Sequence, residues 1–324
     1  MLDGLLIPAV LFFALGMLAH LVRSDLKFPE LAKGLAIYLL LGIGLHGGME
    51  LAKADLGAAI EAVAAAFALG ILLPLIAYVI LRWVGHMDTL NSAAIAAHYG
   101  SVSAGTFLTA LAFLETKNIT YETYPVIMLA IMESPAIIIG LLLAKLTRPR
   151  DGAADANGNG QTVAKLVHEA FTNGSVILLF GGIAVGAFAL PDGLQKMMPF
   201  YDGIFMGVLS LFLLEMGMEA AKRIGEFRRM GVFLVGFGIL MPLIGAVFGL
   251  VTGHHLLGFS PGGTMLVATL AASASYIAVP SAMRLAIPEA NPSFYLTLAL
   301  GVTFPFNVVV GIPLYWEASL WLAR

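Results

Sequence analysis

The sequence predicts an all-α polytopic membrane protein: ten transmembrane helices as two inverted five-helix repeats, with crossed, broken helices 4 and 9. Three observations carry this. The 324 residues are 60% hydrophobic and 11% charged, with a mean hydropathy of +0.93, too few polar groups to clothe a soluble surface. The apolar windows fall five and five about a single polar stretch. Each half also carries one Ser/Gly/Ala/Pro-rich interruption inside an apolar span, Tyr99 to Phe107 (YGSVSAGTF) and Ala272 to Ser281 (ASASYIAVPS). Backbone released from helical pairing at membrane depth is tolerated only where protein or a watery cavity satisfies it, and paired breaks mark the midplane site of a secondary transporter.

The windows follow in order, each near the length needed to cross about 30 Å of hydrocarbon. Leu5 to Leu21 is preceded by Asp3 rather than a basic segment, and the first cation, Arg23, follows it, so it reads as a retained first span rather than a signal peptide. Leu31 to Leu51, Leu56 to Trp83, the interrupted Ser92 to Leu114, and Tyr124 to Leu146 complete the first repeat, residues 1–146. Thr147 to Thr162 (TRPRDGAADANGNGQT) is rich in Gly, Asp and Asn and reads as a flexible connector within a cytoplasmic linker, 147–165. The second repeat, 166–324, contains Phe171 to Leu190, Tyr201 to Ala221, Met230 to Leu256, the interrupted Met265 to Ala286, and Pro292 to Tyr315.

An odd number of spans per half makes the second repeat inverted. GMELAK at Gly48 to Lys53 is echoed by GMEAAK at Gly217 to Lys222, and spans five and ten carry Pro135 and Pro305 near their middles. Cations set the orientation. Arg23, Lys27, Lys33, Arg82, Lys145, Arg148, Arg150, Lys165, Lys222, Arg223, Arg228, Arg229 and Arg284 gather on one side, against Lys53, Lys117, Lys196 and Arg324 on the other. Positive residues stay inside, so both termini are expected outside and the linker within.

Several functions lack their residues. A formal charge of −3, confined to short loops, offers no basic face for nucleic acid. Without cysteine there is no disulfide, thiolate site or catalytic thiol. HExxH, GxSxG and GxxxxGK[ST] are absent, so the sequence does not read as an enzyme or an ATP-driven pump. Transport would draw on an ion gradient.

The breaks point to a small anion. Two half-helix N-termini converging at the midplane would each present free N–H groups and a positive dipole end, with Pro280 suited to open the second half of span nine. Ser101, Ser103, Thr106, Ser273 and Ser275 are the hydroxyl donors there, while Gly100, Ala104, Gly105 and Ala274 suit the close crossing of helices. Glu133, mid-span beside Pro135, costs about 2.5 to 3.5 kcal/mol to insert and reads as a cation or proton ligand. Glu215 reads as reaching water or pairing with Lys222. His46 and His98 read as packing histidines, with no second histidine at metal-binding spacing.

The chain resembles the sodium-dependent bicarbonate transporter family, best known from cyanobacteria. The resemblance runs through GLHGGMEL (Gly44 to Leu51), YGSVSAGTF, MESPAIIIG (Met132 to Gly140), LLEMGMEAAKRI (Leu213 to Ile224) and AASASYIAVPSAMRLAIPEANPS (Ala271 to Ser293). It implies a bacterial inner-membrane symporter, set among membrane lipid, with a core domain of spans 3–5 and 8–10 and a gate domain of spans 1, 2, 6 and 7. It also implies an elevator-like motion, a homotrimer and, in some members, a small PII-like regulator on the cytoplasmic side; the linker here is short. The implied site is Ser101, Val102, Ser103, Ser273, Ala274 and Ser275, with Glu133 where the cyanobacterial proteins carry an aspartate. Tyr276 replaces a second aspartate, a natural sodium ligand, so the coupling ion is expected to be a weakly held Na⁺ near Glu133 or a proton. Bicarbonate is the leading substrate. A larger organic anion, as in the bile-acid symporters, is the alternative within the class; an intramembrane enzyme or proton-relay subunit is the alternative outside it.

Overall fold

The computed structural model describes residues 7–26, 31–53, 55–147, 168, 172, 174–224 and 227–324. Apart from Thr147, the expected linker lies outside them. The described residues form helices and turns, with no strand among them.

Each of the ten windows holds a helix or a broken pair. The first five contain α1 (Pro8–Leu21), α2 (Leu31–Leu51), α3 (Leu56–Val79), the pair α4 (Thr89–Gly100) and α5 (Ala104–Thr116), and α6 (Tyr124–Thr147). The second five contain α7 (Gly174–Phe188), α9 (Phe205–Ile224), α10 (Phe227–Val251), the pair α11 (Pro261–Ala271) and α12 (Ala278–Ala286), and α13 (Pro292–Leu322); a further helix not expected from the windows, α8 (Pro191–Gly203), lies mostly between the sixth and seventh and leads at a bend into α9. Local chemistry sets many of the starts. Pro8, Pro191, Pro261 and Pro292 open their helices, where a missing N–H costs nothing. Asp55, Asp88, Ser103, Ser260 and Asn291 cap theirs with a side-chain oxygen.

Among the described residues, five helical stretches are long and apolar enough to cross a membrane, and α8 with α9 makes a sixth if taken as one span bent by 44°. The polytopic membrane reading fits this architecture. The breaks explain why the interrupted windows fall short individually: α4 and α5 have 12 and 13 residues, which at 1.5 Å per residue cover about 20 Å each.

The helices pack in two sets. In one, α1 lies along α9 and α2 along α7. Glycines bring these backbones together: a Cβ at Gly16 or Gly217 would strike the main chain of the facing helix, as would one at Gly44, Gly48, Gly182 or Gly186. In the other set, α6 packs on α3 and α4, while α11 packs on α10 and α13. Hydrogen bonds near the helix ends help tie its halves together. Asn91 Oδ1 accepts from the Asn291 N–H at 2.7 Å, and Glu122 accepts from the Ser260 N–H and hydroxyl at 2.9 Å each.

A local pattern recurs at constant spacing along the chain. α3 runs into a π-turn at Ile80–Val84, then the left-handed His86 (φ 50°), then the Asp88 cap of α4. α10 runs into a π-turn at Thr252–Leu256, then the left-handed Gly258 (φ 62°), then the Ser260 cap of α11. A Cβ in that conformation costs about 1–2 kcal/mol. Gly258→Ala is therefore expected to lower thermal stability in detergent by about that amount, and His86→Gly to raise it slightly.

Candidate functional site

Opening a helix at mid-membrane frees N–H and C=O groups, and here the two breaks satisfy each other. In the first, Gly100 ends α4 and Ser103 caps α5. In the second, α11 ends at Ala271 and α12 starts at Ala278, two residues before Pro280, which lies in the first turn. The Ser103 N–H donates to Ser273 Oγ at 2.9 Å, and the Ser275 N–H donates to the His98 carbonyl at 2.9 Å. Ser273 Oγ donates onward to the Leu270 carbonyl at 2.8 Å. The Ala272 carbonyl accepts from Asn307 Nδ2 at 2.8 Å, and Asn307 Oδ1 accepts from the Tyr315 hydroxyl at 2.7 Å.

A small cavity, about 20 Å³, opens where the breaks meet. Val102, Ser103 and Ala104 line it from the first break, and Ser275, Tyr276 and Ile277 from the second. Leu129 and Glu133 of α6, Leu40 of α2 and Leu179 of α7 close it, so the cavity lies between the two packing sets. Its volume suits one or two water-sized groups.

Of the residues expected at a site, Val102, Ser103, Ser275, Tyr276 and Glu133 share this cavity. Ser101, Thr106, Ser273 and Ala274 are buried beside it but do not line it. Ser103 Oγ accepts from both the N–H and the hydroxyl of Thr106, at 3.1 and 2.9 Å, which leaves its own proton free to donate. The Ser101 hydroxyl is buried with no hydrogen-bond partner among the described residues. Tyr276 packs edge-on to Phe304, ring centres 5.3 Å apart, with its hydroxyl beside Ser103 and Gly105. Glu133 is 8% exposed, and no hydrogen-bond or ion-pair partner for it occurs among the described residues.

His98 is the packing residue expected: Nδ1 lies 2.7 Å from the Ala94 carbonyl and the ring stacks on Tyr295. His46 is not, because it is half exposed, with Nε2 3.1 Å from Asp202 Oδ1. Glu215 is partly exposed, as expected of a side chain reaching water, but it does not ion-pair with Lys222: the ammonium bonds Glu219, one turn closer along the helix, and Glu215 Oε2 is buried without a hydrogen-bond partner among the described residues. Sequence reasoning missed Asn307 and Tyr315. The signal was there, since Asn307 is the lone amide in the run FPFNVVVG.

No cluster of three or more His, Asp or Glu able to hold a metal ion occurs among the described residues. The oxygen-bearing side chains that line the cavity are those of Glu133, Ser103, Ser275 and Tyr276. No curated protein matches the chain. A family model, that of the Na⁺-dependent bicarbonate transporter superfamily, matches residues 8–319. Na⁺ as coupling ion fits both that family and the oxygen-only chemistry of the cavity. The match covers nearly the whole chain, and the protein belongs to the Na⁺-dependent bicarbonate transporter superfamily.

Proposed function

We propose that this protein is a secondary carrier that imports bicarbonate, or an anion of similar size, together with Na⁺ or H⁺. The observation that carries the proposal is the cavity between the two breaks, where hydroxyl donors and a half-helix N-terminus face a lone buried carboxyl. The donors would hold the anion, and Glu133 would hold the cation that neutralises it. Ser103 and Ser275 would touch the anion, while Ser101, Val102, Thr106, Ser273 and Ala274 would shape its surroundings. With so small a cavity, a larger organic anion of the bile-acid type is the weaker reading.

The proposed architecture is ten spans in inverted repeats, 1–146 and 166–324, with both termini outside the bacterial inner membrane. The recurrence of π-turn, left-handed residue, cap and break in both halves supports it. The two packing sets correspond to a gate of spans 1, 2, 6 and 7 and a core of spans 3–5 and 8–10. Their boundary runs through the cavity, which suits an elevator-like displacement of core against gate. A homotrimer and a PII-like cytoplasmic regulator are proposals that rest on the family alone.

Reconstitution tests the function. Bicarbonate uptake into proteoliposomes is expected to follow an imposed sodium or proton gradient, and uptake indifferent to both would refute it. Topology has its own test, made clean by the cysteine-free sequence. A single cysteine at residue 155 is expected to resist impermeant maleimide in sealed cells, and external labelling there would reverse the orientation.

A further inference from the structure

The backbone donors where the two breaks meet are already committed. The Ser103 and Ser275 N–H groups each donate across to the opposite break, and the Thr106 N–H donates to Ser103 Oγ within the first turn of α5. The hydroxyls that line the central cavity are those of Ser103, Ser275 and Tyr276. Serine is at home where a helix opens, because its oxygen caps freed N–H groups. A phenol has no such role, yet Tyr276 follows directly on the run ASAS.

Its placement is specific. The ring packs edge-on to Phe304, which is itself edge-on to Phe13 of α1 with ring centres 5.4 Å apart. This aromatic stack sets the hydroxyl at the start of α5, facing the Gly105 amide and the Ser103 side chain. A Cβ at Gly105, the second residue of α5, would collide with that hydroxyl, so the glycine makes its room. The oxygen is fully buried, and no hydrogen bond to it closes among the described residues. Buried hydroxyls are nearly always paired, and a phenol keeps its proton at neutral pH and so has one to donate. The cavity that Tyr276 lines is where an acceptor for that proton fits.

The carboxyl of Glu133 is an independent indication that this cavity takes a ligand. It is nine-tenths buried, lines the same cavity and has no partner among the described residues. A donor and an acceptor thus face one small space without meeting each other. Their surroundings assign the two sides. A cation at the phenol oxygen would stand before the positive end of α5, whereas an anion is favoured there.

We propose that Tyr276 is an anion ligand of this carrier, its hydroxyl donating from the N-terminus of α5 to an oxygen of the bound bicarbonate, opposite the cation side lined by Glu133. The inference rests on the bicarbonate-carrier reading above and gives to the anion a residue whose place in the sequence suggested the coupling ion. Its test is Tyr276→Phe, assayed as bicarbonate uptake into proteoliposomes containing the full chain, with bicarbonate and the driving cation each varied at saturation of the other. The half-saturating bicarbonate concentration is expected to rise about tenfold or more, as for a lost hydrogen bond to a charged partner. The half-saturating cation concentration is expected to stay near that of the unmodified protein. The melting temperature in detergent is expected to hold or rise, because the substitution keeps the ring and removes a buried hydroxyl that has no partner to lose; a residue needed only for packing would lower it. An unchanged bicarbonate half-saturation overturns the assignment alone, and so does a shift confined to the cation, which would make Tyr276 a cation ligand. Absence of bicarbonate uptake by the unmodified protein under both sodium and proton gradients overturns it together with the carrier reading.

Discussion

Glu133→Gln is expected to abolish uphill uptake while leaving the protein folded. Glutamine matches glutamate in size and can occupy the same position, so the packing of α6 survives. What is lost is the one acidic group that lines the central cavity among the described residues. An anion moving into an inside-negative cell is opposed by about 2.3 kcal/mol per 100 mV, and one accompanying cation cancels that. A tenfold inward cation gradient then adds about 1.4 kcal/mol, enough for about tenfold accumulation. Without the carboxyl, neither contribution reaches the anion. Proteoliposomes under separate sodium and pH gradients should show uptake that no longer responds to the gradient driving the unmodified protein. Unchanged accumulation by Glu133→Gln would remove this residue from the coupling mechanism.

The serines separate into two kinds, and alanine substitution should distinguish them. Ser273→Ala removes the acceptor of the buried Ser103 N–H and the donor to the Leu270 carbonyl. An unsatisfied buried group costs about 1–3 kcal/mol, so lower thermal stability is expected alongside weaker transport. Ser275 meets the other break through its backbone N–H, which alanine keeps, and its side chain lines the cavity. Ser275→Ala is expected to leave the melting temperature alone and raise the half-saturating anion concentration about tenfold, as befits a lost hydrogen bond to a charged partner. Equal thermal stability of the two variants would mean that the breaks are not held together as described.

Hydropathy made the helices legible. The windows Leu31 to Leu51 and Tyr124 to Leu146 match α2 and α6 almost to the residue, because apolar runs bounded by Pro, Asp and Gly leave little freedom. The breaks were equally visible, since Ser competes for backbone hydrogen bonds and Gly and Pro disfavour the helix within such a run. The partners of the freed groups were not. Ser103 meets Ser273 across 170 positions of chain, and no periodicity encodes that. Asn307 lies closer to Ala272 in sequence, yet it reaches that carbonyl only because α13 packs on α11. His46 looked like a packing residue because Asp202, its partner, sits on a helix of the other half. Of the two readings of Glu215, the pairing with Lys222 fails for a local reason, since Glu219 lies closer to Lys222 and takes its ammonium, while the partial exposure of Glu215 agrees with the reading that it reaches water.

The mutual satisfaction of the two breaks bears on how the protein is made. Ribosomes deliver the first half of the chain before the partners of its interrupted helix exist, so the Ser103 N–H must wait for Ser273. Unpaired backbone groups in hydrocarbon cost several kcal/mol each. During that interval the nascent first half is bound to recruit water, lipid headgroups or an insertase to its gap, and it is then most open to quality-control proteolysis. A chain cut within the linker should accordingly accumulate only when both pieces are co-expressed, each acting as the membrane chaperone of the other.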